Sequence, residues 1–295
     1  MMLLRLHRLL RRPEGSSPPL PGVPSRSVRC TPGGHVPQPR SPWIRTLTPA
    51  SATPNQLICL PHSGGTASYY TPMAHLLADD IETLAIQYPG RQDRYGERAM
   101  DSVYELADHV TEALLPQMGR PTSLFGHSMG AAVAFEVAVR LEARGHRLVA
   151  LFVSGRAAPD SPLDRNFHAV DDDQLVQELV RLGGTDPAIV ANSELIELIL
   201  PTIRADYRAS ETYRHRGDVV HCPLIALSGT ADPYVPPGAG ASWHGYTAGP
   251  FRLYELPGGH FFLDEHRDRV QEIIREHAGH PRHQHGEAAA RARIP

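Results

Sequence analysis

Residues 123–141 read SLFGHSMGAAVAFEVAVRL. Ser123, Leu124 and Phe125 form a short apolar run of strand type, and from Ala131 onward apolar residues recur at helical period as far as Leu141. Gly126-His127-Ser128-Met129-Gly130 leaves no room for a loop between the two, so the chain must turn sharply from strand into helix. The residues flanking the turn must then be very small, which accounts for Gly126 and Gly130. Ser128 projects at the helix N-terminus, where free N–H groups favour developing negative charge. G-x-S-x-G alone is a weak pattern. Set between a strand and a helix, it predicts a serine nucleophile.

Outward from this turn, short apolar runs alternate with longer segments of helical period. The runs are Gln56 to Leu60, Thr83 to Gln87, Ser123 to Gly126, Leu148 to Ser154, Leu224 to Ser228 and Arg252 to Leu256. Helices are predicted over Tyr69 to Leu77, Ser102 to Leu115, Met129 to Arg144 and Leu263 to Glu276. The alternation predicts an α/β protein, a mostly parallel sheet with helices on both faces. One stretch departs from it. Residues 160–216 hold two helical pieces, Asp171 to Leu182 and Ser193 to Tyr213, and no strand-like run, so they read as a helical lid insertion.

A serine hydroxyl at neutral pH needs a base, and the base needs an acid to orient it. His260, in Gly258-Gly259-His260-Phe261-Phe262, follows the last strand run and precedes the last helix; of 17 histidines it alone has this place. Asp232, in the tight loop Ser228-Gly229-Thr230-Ala231-Asp232-Pro233, follows the penultimate run and is the preferred acid. Asp160 is its rival, and Asp264 lies too close to His260 in sequence. The order Ser, Asp, His is that of the α/β-hydrolase fold. Two backbone N–H groups are expected to hold the oxyanion: that of Met129, after the nucleophile, and that of Ser63 in Pro61-His62-Ser63-Gly64-Gly65, after the first run.

At 295 residues with 41% apolar residues the chain can bury one sizeable core. A net charge of -3 offers no basic excess for nucleic acid or anionic membranes, and no run of 18 apolar residues spans a bilayer. Cys30, Cys59 and Cys222, odd in number and far apart, point to a reducing, cytoplasmic setting, with Cys59 and Cys222 in or beside buried strands. Residues 1–42 are dense in Pro, Gly, Ser and Arg and read as a disordered extension. Its first twelve, MMLLRLHRLLRR, also have the amphipathic look of a targeting peptide. Residues 43–279 are the expected folded domain, and the His- and Arg-rich residues 280–295 a solvated tail.

Taken together, LICLPHSGGTASYY, IQYPGRQDR, LFGHSMGAAVAFEVA, VSGRAAP, LPTIRADYRASETY, LSGTADPYVP and LPGGHFFL resemble the type II thioesterases that accompany polyketide synthases and nonribosomal peptide synthetases. The resemblance runs from about Trp43 to His277. It implies hydrolysis of acyl groups from the phosphopantetheine arm of acyl or peptidyl carrier proteins, with Ser128, Asp232 and His260 as the triad and the amides of Met129 and Ser63 as the oxyanion hole. No cofactor or metal is implied, and a monomer is expected. Ser63 stands where the family usually has Ala, which matters little if only its N–H is used.

Other readings stay open at this stage: an esterase or lipase of small free esters, a catalytically silent binding module, and a chain-terminating cyclase, against which stands the lack of a fused carrier domain. Arg91 and Arg94 are read either as contacts for a phosphate or acidic carrier, or as loop buttresses through Asp93 or Glu97. Tyr207, Tyr213 and the stripe Leu195, Leu198, Ile199 and Ile203 read equally as an acyl pocket and as a helix packing face.

Overall fold

A computed structural model describes residues 41–48, 53–161, 165–185 and 187–278. The readings for the N-terminal extension up to residue 40, Cys30 and the tail from 280 lie outside these residues.

Seven strands form one sheet: β1 (Ile44–Thr46), β2 (Gln56–Leu60), β3 (Glu82–Ile86), β4 (Thr122–His127), β5 (Leu148–Ser154), β6 (Leu224–Gly229) and β7 (Phe251–Leu256), in the order β1-β3-β2-β4-β5-β6-β7. The six runs read from the sequence are the six parallel strands, each within about a residue of its expected ends. The seventh, β1, pairs antiparallel with β3 at the sheet edge. It is three residues long and half-exposed, too short to leave a period-two signal.

Alternation along the strands sorts the core into two layers. Ile58, Leu60, Leu84, Ile86, Leu124, Leu151 and Val153 face α2 (Val103–Leu114) and α3 (Met129–Ala143). Leu57, Cys59, Ala85, Phe125, Phe152, Ile225 and Leu227 face the other way, toward the helix Thr71–Leu77 (α1) and the C-terminal helix. Helix α3 is buried almost all round, and Ala131, Ala132, Ala134 and Ala138 let it lie close against its neighbours. The predicted helix from Leu263 to Glu276 is two pieces, Phe262–Glu265 and Arg267–Ala278, divided at His266. The segment from Tyr69 opens with a 3₁₀ turn, Ala67–Tyr70, ahead of α1.

Residues 160–216 hold the helices α4 (Asp172–Leu182), α5 (Pro187–Val190) and α6 (Ser193–Thr212), and no strand among the described residues. Leu175 and Leu179 of α4 pack against Ile196, Leu200, Ile203 and Tyr207 of α6 in a separate small core. Cys59 and Cys222 are buried and unpaired, Cys59 in β2 and Cys222 just ahead of β6.

Connections diverge at the centre of the sheet. The chain leaves β2 toward β3 on one side and leaves β4 toward β5 on the other, so the loops after β2 and β4 flank an open crevice at the carboxyl edge.

Candidate active site

Ser128 lies at the turn from β4 into α3 with φ 55° and ψ −119°, a sparsely populated conformation for a residue with a side chain. Sterics and a hydrogen bond hold it there. Its amide donates to Ser154 O at 2.8 Å. A Cβ on Gly126 would overlap the Gly130 carbonyl, and one on Gly130 would overlap the Leu60 carbonyl. The first turn of α3 is therefore pressed onto β4 and β2, and the serine hydroxyl stands clear of the sheet.

Two loops from the neighbouring edge converge on it. Thr230 N–H donates to Leu256 O and Ala231 N–H to Gly258 O, which ties the loop after β6 to the loop after β7. Gly229 permits the approach, since a Cβ there would overlap Gly259 O. The result is a continuous chain of hydrogen bonds. His260 Nε2 is 3.0 Å from Ser128 Oγ, and His260 Nδ1 is 2.9 Å from Asp232 Oδ2. Asp232 is buried and its other oxygen accepts the Tyr234 N–H at 2.7 Å. A carboxylate so fixed favours the tautomer with the proton on Nδ1, leaving Nε2 to accept the proton of the serine hydroxyl.

The rival acids are elsewhere. Asp160 is exposed and accepts from the Tyr246 hydroxyl at 2.6 Å. Asp264 accepts from Arg267 on the helix surface.

Met129 begins α3, so its amide is one of the unpaired donors of a helix N-terminus. Ser63 is half-buried in the loop after β2, across the crevice at the centre of the sheet. Two further histidines line this floor. His62 is T-stacked against Tyr69, His127 and Phe261, and burial, then the charges of His260 and Arg91, push its pKa down to about 3. His127 sits 5.0 Å from the His260 ring, with Nδ1 at 3.0 Å from Ser154 Oγ, and burial holds it well below the usual range. Both are neutral near pH 7, so neither adds positive charge beside His260.

Arg91 and Arg94, for which the sequence offers two readings, take different partners in the structure. Arg94 pairs with Glu97, as expected for a buttress, and lies over the Trp43 ring at 4.3 Å. Arg91 instead makes a buried two-pronged pair with Asp206 of α6, both nitrogens at 2.8 Å, and Asp206 also accepts the Gly64 N–H at 2.7 Å. Asp93 pairs with Arg45. Asp206 carried no local signal in the sequence, because its partner is 115 residues away. Of the aromatic candidates, Tyr207 and Ile203 belong to the α4–α6 core, Leu198 is exposed, and Tyr213 donates to Glu136 Oε1 at 2.7 Å beneath α3. Of the stripe, Ile199 and Ile203 pack in this core, whereas Leu195 and Leu198 lie outside it. Among the described residues, no group of three or more His, Cys, Asp or Glu is arranged to hold a metal ion.

The thioesterase domain family model matches residues 55–278. Thioesterase PikA5 of Streptomyces venezuelae is 46% identical over 239 residues, which cover 80% of this chain and 85% of the relative. The structure of the type II thioesterase BorB, from the borrelidin biosynthetic cluster, superposes with a TM-score of 0.76 at 46% identity, covering 82% of this chain and 99% of that one. RedJ, a thioesterase of the prodiginine pathway in Streptomyces coelicolor, does so with a TM-score of 0.71 at 38% identity, covering 81% and 90%. The chain belongs to the thioesterase family, among its type II members, and is a hydrolase of thioester bonds on the α/β-hydrolase fold.

Proposed function

We propose that this enzyme releases acyl groups from the phosphopantetheine arm of acyl or peptidyl carrier proteins, editing a polyketide or nonribosomal peptide assembly line, with Ser128 as nucleophile. The observation that carries the mechanism is the unbroken chain Ser128–His260–Asp232, with its serine on a positive-φ turn. Ser128 Oγ attacks the thioester carbonyl while His260 Nε2 takes its proton. Asp232 stabilises the imidazolium that forms. The amides of Met129 and Ser63 take up the negative charge of the tetrahedral intermediate. Its collapse expels the thiol, which leaves with the proton from His260. Water, deprotonated by the same nitrogen, then attacks the acyl-enzyme and frees the acid and Ser128.

The substrate class is supported by the likeness to the type II thioesterase BorB of a biosynthetic cluster and to the pathway thioesterase RedJ. Helices α4 to α6 are read as a lid over the acyl chain. The enzyme needs no cofactor of its own and works as a monomer in the cytoplasm, a setting supported by its unpaired buried cysteines. No helix among the described residues is long and apolar enough to cross a membrane.

The test is release of acetyl or propionyl groups from a loaded carrier protein, compared with the same acyl group on a simple alcohol. Wild type should prefer the carrier, and Ser128→Ala should abolish release. Release by Ser128→Ala would overturn the mechanism, and faster turnover of the simple ester would make the enzyme an esterase.

A further inference from the structure

Three residues on one face of α6 reach two loops at the carboxyl edge of the sheet. Thr202 Oγ1 donates to Gly90 O at 2.8 Å. Ile203 lies over Gly64, where an added Cβ would come within 3.1 Å of its Cγ1. Asp206, wholly buried, holds both terminal nitrogens of Arg91 and the Gly64 N–H. Arg91 in turn donates to Gly65 O at 3.1 Å and to Pro89 O, and its own carbonyl accepts from Gln87, whose other amide atom takes the Ala67 N–H. One carboxylate and one guanidinium thus grip two successive residues of the loop after β2, Gly64 by its N–H and Gly65 by its C=O.

The consequence falls on Ser63. The Ser63 N–H belongs to the planar His62–Ser63 peptide unit, whose carbonyl accepts the Gly65 N–H at 2.9 Å and so turns that N–H the opposite way. Asp206 holds the next unit, Ser63–Gly64, and Arg91 holds the Gly65 carbonyl, which together keep the turn from His62 to Gly65 in this form. Gly64 has φ +73°, a conformation open to glycine that the bond to Asp206 holds in place. A buried ion pair is seldom worth more to folding than apolar side chains of the same volume. Its value here is directional, since no apolar pair would hold a backbone N–H.

We propose that Asp206 and Arg91 are positioning residues for the oxyanion hole, making the aim of the Ser63 amide depend on the seating of α6. The inference rests on the reading of Ser63 and Ser128 given above. Its test is the double variant Arg91→Met/Asp206→Leu, which removes both charges and leaves no unpaired ion. The expected result is a folded protein whose kcat on acyl carrier protein falls about ten- to a hundredfold with KM within about threefold. Affinity for a trifluoromethyl ketone analogue, which forms the tetrahedral oxyanion with Ser128, should fall by the same factor. Affinity for a non-hydrolysable amide analogue of the substrate should not change. A folded variant that keeps wild-type kcat and trifluoromethyl ketone affinity overturns the proposal, as does a loss confined to KM.

A second variant carries the test if the first does not fold: glycolic acid in place of Gly64, which removes the Gly64 N–H that Asp206 accepts and keeps the Arg91 pair. Its kcat should fall about tenfold, and a wild-type rate overturns the proposal. Ser128→Ala run in parallel separates the two ideas. An active Ser128→Ala counts against the serine mechanism, whereas an inactive one beside a fully active clamp variant counts against the clamp alone.

Discussion

At the scale of single residues, the site depends on atoms that are missing as much as on side chains that are present. Gly126, Gly130 and Gly229 each stand where a Cβ would overlap a backbone carbonyl of a neighbouring segment. Backbone cannot step aside as a flexible side chain can. Gly130→Ala should therefore lower stability by about 3 kcal/mol or more and leave little active enzyme, as read by urea denaturation and by yield of folded protein. The need for Gly126 and Gly130 was legible from spacing, because strand and helix follow within five residues. That of Gly229 arises between the loops after β6 and β7, and nothing near it in sequence announces that encounter.

At the scale of elements, the helices of residues 160–216 are specified locally at their ends. Asp171 caps α4, its Oδ1 accepting the Gln174 N–H at 2.8 Å, and Gly183 closes the helix with φ +78°. Asn192 caps α6 in the same way. Asp171→Ala should lower the stability of α4 by about 1 kcal/mol, visible as faster amide exchange confined to residues 172–182. Uniform acceleration across the sheet would contradict that. Such ends are readable from sequence because cap and helix lie within one turn. The break at His266 was not, since 267–278 continues the helical period and hides the offset. The pairing of Arg91 with Asp206, in place of Asp93 or Glu97, was equally hidden: nearby carboxylates are the ones a sequence displays.

At the scale of the whole molecule, the neutral histidines link stability to pH. His62 titrates near 6.5 in the unfolded chain and near 3 when folded, and His127 is depressed in the same direction. Between those values the unfolded state binds protons that the native state refuses. Stability attributable to them is full above pH 6.5 and falls as the pH drops from 6.5 toward 3, with a limiting slope of about 1.4 kcal/mol per pH unit for each histidine. His62→Phe, in an aromatic cage that suits a ring, should flatten the denaturation midpoint against pH over that window relative to wild type. Parallel profiles for the two proteins would refute the assignment.

What the sequence by itself determined is what short-range physics writes into neighbouring residues. The turn at Ser128, six parallel strands, the helices between them and the order Ser128, Asp232, His260 were all readable, because side-chain alternation, helical period and tight turns act over a few residues. Only the tertiary structure decided that Asp160 faces Tyr246, that Tyr213 reaches beneath α3 to Glu136, and that α6 sends Asp206 to the glycine loop after β2. Such contacts depend on where the sheet's crossovers bring distant segments. Their strength comes from burial and exact distance, which a linear chain does not possess until it has folded.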